Sequence, residues 1–90
     1  MRDEFEGVVD NLLNDACKDK SNAFGRSVGY NEIYEYLDTC KSRRGLVMKI
    51  HEAIKDTQEL QAQASDDEDY HMYTGEIEAY KEFLKAIGSR

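Results

Sequence analysis

Residues 70–87 read YHMYTGEIEAYKEFLKAI and set apolar side chains at alternating steps of three and four: Tyr70, Tyr73, Ile77, Tyr80, Leu84 and Ile87. These steps keep all of them on one stripe of an α-helix, the seam of a coiled coil. Such a stripe is stable in water only when another apolar surface covers it. The chain is therefore expected to be built on helix–helix contact. A seam of this kind also offers itself to a second copy, so a homodimer is expected.

Immediately upstream, Ser65 and Glu68 form an S-x-x-E capping box, and Asp66, Asp67, Glu68 and Asp69 put carboxylates at the positive end of the helix that follows. That helix is expected to close at Gly88, with Lys85 in its last turn. Before it, a helix over residues 46–64 carries Val47, Ile50, Ala53 and Ile54, then only Thr57, Leu60 and Gln61, so its apolar face thins toward its end. The connection between the two is short, which implies an antiparallel hairpin with Thr57 and Gln61 opposite Tyr70 and Tyr73.

Near the N-terminus, Phe5, Val8, Val9, Leu12, Leu13, Ala16 and Cys17 give a full apolar face to a helix over 3–18. Asp3, Glu4 and Glu6 open it, and Lys18 and Lys20 follow its end, the polarity the helix dipole favours. Residues 21–31, SNAFGRSVGYN, read as an ordered loop that tucks Phe24, Val28 and Tyr30 onto the core. Within it, Gly25-x-x-x-Gly29 reads as a turn, because no strand precedes it and no G-K-[ST] follows to make a phosphate loop. Asn31 then caps a helix with Ile33, Tyr36, Leu37 and Cys40 facing inward.

Ile33, Cys40, Val47, Ile54 and Gln61 recur in sevens, so one helix running through Gly45 is an alternative to two. A break between Ser42 and Gly45 is favoured. Glycine inside a helix costs about 1 kcal/mol relative to alanine, and Arg43 and Arg44 fall on the stripe. On that reading Lys41, Arg43 and Arg44 stabilise the C-terminus of the preceding helix. The expected fold is all-α, a single domain over 1–90: a three- or four-helix bundle ending in an antiparallel helical hairpin.

Ninety residues with 40% apolar and 34% charged side chains fit one soluble domain whose small core leaves a thin stability margin. No run approaches the roughly 20 apolar residues that span a bilayer, and the start, Met1-Arg2-Asp3-Glu4, lacks the apolar region of a signal peptide, so a cytoplasmic location is expected. Cys17 and Cys40 are read as buried thiols, since a disulfide framework needs more cysteines in loop-rich sequence.

Cys17, Cys40, His51 and His71 do not pair at structural-zinc spacings, and the acidic run 66–69 lacks the alternation and glycine of a calcium loop. No nucleophile, base and orienting group occur together. The chain is read as non-enzymatic, without metal or cofactor. Its distinctive local feature is basic: Lys41, Arg43, Arg44 and Lys49 occur with no intervening acid in a chain of net charge −7. With Tyr34, Tyr70 and Tyr73, whose hydroxyls suit a partly wet interface, these residues are the candidate partner-binding set. The partner expected is a protein. Two alternatives invoke nucleic acid: mimicry of DNA by the acidic surfaces 3–15 and 56–82, or phosphate contact through Lys41 to Lys49. Net charge disfavours direct nucleic-acid binding, and Lys81 and Lys85 interrupt the acidic strip.

Ile54-Lys55-Asp56, Tyr70, Gly75-Glu76-Ile77-Glu78-Ala79-Tyr80 and Phe83-Leu84 together resemble the short helical-hairpin proteins of tailed bacteriophages. Gly75 stands out in this pattern, because a glycine within a heptad is explained by close approach of a facing backbone. The resemblance implies a phage-encoded protein acting in host takeover, defence evasion or virion assembly. A bacterial host protein is then among the expected partners.

Overall fold

The computed structural model describes the backbone of residues 2–18 and 23–88, and the side chains of 4–16 and 23–88. The expectations placed on Asp3, Cys17, Lys18 and Lys20 lie outside the described side chains. Among the described residues there are four α-helices and no strand: α1 (Arg2–Lys18), α2 (Ala23–Thr39), α3 (Arg43–Gln63) and α4 (Asp67–Ala86). The all-α bundle and its C-terminal antiparallel hairpin are as the sequence predicts. In the hairpin, Gln61 Nε2 donates to Thr74 Oγ1 at 2.6 Å near the tip, and the Arg43 guanidinium donates to the Ile87 carbonyl at the far end.

Residues 23–31 form helix, not the loop expected from their glycines, serine and asparagine. The glycines are the reason. A Cβ on Gly25 would lie 2.1 Å from the Met72 carbonyl oxygen and 3.0 Å from Gly75 Cα; on Gly29 it would lie 2.7 Å from Ala79 Cβ and 3.0 Å from the backbone carbonyl oxygen of Glu76. Gly25-x-x-x-Gly29 is therefore a helix crossing, in which missing side chains let two backbones touch. Gly75 sits opposite Gly25, the close approach of a facing backbone expected of a glycine within the heptad. Ser27 stays within the helix by donating its hydroxyl to the Phe24 carbonyl at 2.7 Å.

This contact organises the bundle. Gly25 lies beside Met72, Gly29 beside Ala79, and Tyr30 reaches Glu82, so α2 and α4 run parallel along their length. In a plain up-down-up-down bundle these two would be diagonal partners held apart; here they form the central pair. α1 lies mainly against α2, and α3 mainly against α4, while α1 and α3 do not meet among the described residues. The core along this pair contains Val9, Tyr30, Ile33, Leu46, Ile50, Phe83 and their neighbours, with Phe5 and Phe83 meeting edge to face at 6.1 Å.

The α4 seam is covered from within. Ile77, Tyr80 and Leu84 are buried, Tyr73 and Ile87 are half-buried, and only Tyr70 at the tip is 48% exposed. Gly75, Ala79 and Phe83 are also buried, so α4 presents two faces to its own chain. The seam thus gives no reason for a second copy.

The break between α2 and α3 exists, but earlier than expected. α2 ends at Thr39, and Ser42 caps α3 by accepting the Gly45 N–H at 3.1 Å. Gly45 lies inside the first turn of α3. Arg43 and Arg44 consequently open a helix where they were expected to close one. α4 is capped by Asp66, whose carboxylate accepts from the Asp69 N–H at 2.8 Å, one residue past the expected Ser65. Gly88, at φ 78°, ends the chain's last helix as predicted. Phe24 is 70% exposed, and does not tuck onto the core. Cys40 is a free, half-buried thiol at the core's edge.

Candidate functional site

Lys41, Arg43, Arg44 and Lys49 all come to one end of the bundle, around the α2–α3 junction, and all are exposed. A cation in the first turn of a helix opposes the dipole by roughly 0.3–1 kcal/mol, so helix polarity does not account for Arg43 and Arg44. Arg43 has a structural occupation all the same: its guanidinium takes the Ile87 carbonyl, one of the orphan acceptors at the end of α4. Lys49 Nζ sits 5.7 Å from the centroid of the Tyr36 ring, a cation–π arrangement. Lys41 and Arg44 extend into solvent. Met48, one turn beyond Arg44 and one turn before the exposed Glu52 on α3, is 63% exposed.

The three tyrosines of the expected set do not join this surface. Tyr34 donates its hydroxyl to Asp10 and fastens α2 to α1. Tyr70 and Tyr73 lie near the hairpin tip, separated from the junction by most of the length of α3, about 30 Å at 1.5 Å per residue. Tyr70 meets His71 edge to face at 5.9 Å.

Two polar clusters were not legible from spacing. In the first, Arg26 of α2 donates to Glu78 from Nε at 3.1 Å and to Glu82 from a terminal nitrogen at 2.8 Å, while the Tyr30 hydroxyl donates to Glu82 at 2.8 Å. These bonds clamp the parallel α2–α4 pair beyond its glycine contact. Burial, and then the hydrogen bond to Glu82 and that residue's charge, raise Tyr30 above the ordinary phenol range. The second cluster brings Tyr36 and Tyr80 together, with Glu32 and Glu76 nearby. Burial raises both tyrosines, so neither supplies a phenolate base near neutral pH.

Glu76 is also raised, by burial first and by the charge of Glu32 second. A carboxyl whose folded pKa lies above its unfolded value contributes stability that is complete below the unfolded pKa and is lost as pH rises through the folded one. Glu76→Gln is therefore expected to melt higher than wild type at pH 7. The difference should close as pH falls below the ordinary glutamate range; thermal melts by circular dichroism across pH 3–7 check both ends, and a constant gap would contradict this.

Among the described residues no group of three or more histidine, cysteine, aspartate or glutamate side chains is placed to hold a metal, no buried side-chain polar atom lacks a partner, and no helix is long and apolar enough to cross a membrane. At the hairpin-tip end, Phe24, Gly25 and Met72 line a groove of about 500 Å³ that Glu68, Asp69 and His71 complete. No protein-family model, curated protein or solved structure matches the chain.

Proposed function

We propose that this chain is a non-enzymatic helical interaction module that docks a protein partner through the α2–α3 end. The observation that carries the reading is Met48, an apolar side chain 63% exposed one turn from Arg44 at the end of the bundle where the bases Lys41, Arg43, Arg44 and Lys49 collect. An exposed flexible apolar group at an end that carries four exposed bases has the composition of a docking point for an apolar, acidic surface. The resemblance of the hairpin to phage proteins adds a phage origin, a bacterial host protein as partner and the cytoplasm of that host as the location.

DNA mimicry is the weaker reading. Glu78 and Glu82, central to the acidic strip of α4, are engaged by Arg26, and Lys81 and Lys85 interrupt what is left. Direct phosphate contact at the junction works against the net charge of −7, whose field repels a polyanion at low salt.

The test is the double variant Lys41→Glu with Arg44→Glu, which leaves the Arg43 cap on α4 in place. Helicity should be unchanged, and the proteins that wild type retains from a bacterial lysate should be lost. Wild type should not shift duplex or single-stranded DNA at about 50 mM salt, where each phosphate contact adds about 0.9 to the salt slope. A shift that disappears in the double variant would overturn the proposal in favour of nucleic acid.

A further inference from the structure

The end of the bundle opposite the basic junction carries a groove that the junction reading does not use. Where α2 and α4 begin side by side, Gly25 and the half-buried Met72 form its floor, because the missing side chain of Gly25 leaves the space open. Phe24 lines it from α2 and, at 70% exposure, is the most exposed large apolar side chain described. From α4 it is lined by Glu68, Asp69 and His71, all exposed. The volume, about 500 Å³, lies within the range of sites that take an apolar ligand group.

The charge of this end selects the occupant. Residues 56–80 contain eight carboxylates and no lysine or arginine. Arg26, on the first turn of α2, is held by Glu78 and Glu82, whereas no cation among the described residues pairs with Glu68 or Asp69. The N-terminus of α4 supplies about half a positive charge, and Lys18 and Lys20 precede α2 in the chain; against the four acids of 66–69 alone these still leave negative charge in excess. Both sides of the groove are helices, whose backbone groups are bonded internally, so there is no strand edge to pair with and recognition is by side chains. We infer that this groove docks a cationic amphipathic helix of a protein partner. Two apolar side chains one turn apart enter over Gly25 and Met72 against the Phe24 ring, and flanking lysines or arginines reach Glu68 and Asp69. The chain then offers two docking surfaces of opposite sign at opposite ends.

The probe is an amphipathic helical peptide of leucine and lysine about 14 residues long, with two counterparts: glutamate for every lysine, and serine for every leucine. Titrated into the isotope-labelled full chain at about 50 mM salt, the leucine–lysine peptide should move the backbone resonances of Gly25 and Met72, with a Kd of about 10 µM or tighter. Neither counterpart should do so. Phe24→Ser should weaken binding at least about tenfold, and Glu68→Gln with Asp69→Asn should do the same at this salt but not at high salt, where the charges are screened. Both variants should keep wild-type helicity, because all three side chains are exposed. Lys41→Glu with Arg44→Glu should bind the peptide at least as tightly as wild type, so the two docking surfaces fail or stand separately. Equal binding of either counterpart overturns the inference, as does a Phe24→Ser variant that binds like wild type. So does movement of the same resonances with protein concentration alone, lost in Phe24→Ser, which would give the groove to a second copy of the chain.

Discussion

Gly25→Ala is expected to destabilise the bundle by at least about 3 kcal/mol, a large part of the roughly 5–10 kcal/mol available to a domain of this size. The new methyl would meet the Met72 carbonyl oxygen at 2.1 Å and its carbon at 2.9 Å, and these are backbone atoms that cannot turn aside. One or both helices must move, which loosens the Arg26 and Tyr30 bonds to Glu78 and Glu82 in the same interface. Gly7→Ala is the internal control. Nothing lies within 4 Å of a Cβ there, so alanine's better helix propensity should add about 0.5–1 kcal/mol. At roughly 4–8 °C per kcal/mol the melting temperature should fall by about 15 °C or more in the first variant and rise by a few degrees in the second. Equal shifts would mean that α2 and α4 do not touch.

The second large effect is Ile77→Asp. Ile77 is 7% exposed in the α4 seam, so a carboxylate there is withdrawn from water. Burying an unpaired charge costs several kcal/mol, so the variant should be unfolded or nearly so by circular dichroism at pH 7. Unchanged helicity and melting temperature would show the seam to be open to water.

The C-terminal hairpin was legible because long apolar side chains at helical spacing leave one dominant interpretation. Gly25, Gly29, Ile33 and Leu37 form an equally regular stripe, at steps of four, and all are buried. Half of that stripe consists of absent side chains, so a search for apolar residues reads it as a loop; counting glycine as a contact-forming small residue reveals it. Asp66 and Ser65 both carry oxygen acceptors suited to an N-cap, and only the path of the chain into α4 separates them. Arg43 and Arg44 changed helix end because the break lies at residues 40–42, a shift of a few residues that reverses their relation to the dipole.

The candidate site was legible as composition and not as geometry. The basic run predicts a positive end, which the structure has. That Arg43 serves the end of α4 and Lys49 the ring of Tyr36 depends on partners 44 and 13 positions away. Tyr34, Tyr70 and Tyr73 were grouped by chemistry, whereas the helices carry them to different places. Phe24 looked like core because it is aromatic; one position from Gly25, it stands on the flank of the crossing and remains in solvent.

The parallel α2–α4 contact decides which surfaces are left for a partner, and nuclear magnetic resonance tests it most directly. A Cβ on Gly25 would lie 3.0 Å from Gly75 Cα, so the α-protons of these glycines should give a strong nuclear Overhauser cross-peak, although fifty positions separate them. A second set should link Gly29 to the Ala79 methyl group. Cross-peaks at both places establish the glycine crossing; their absence in a folded, helical sample would contradict it, and with it the assignment of the exposed ends.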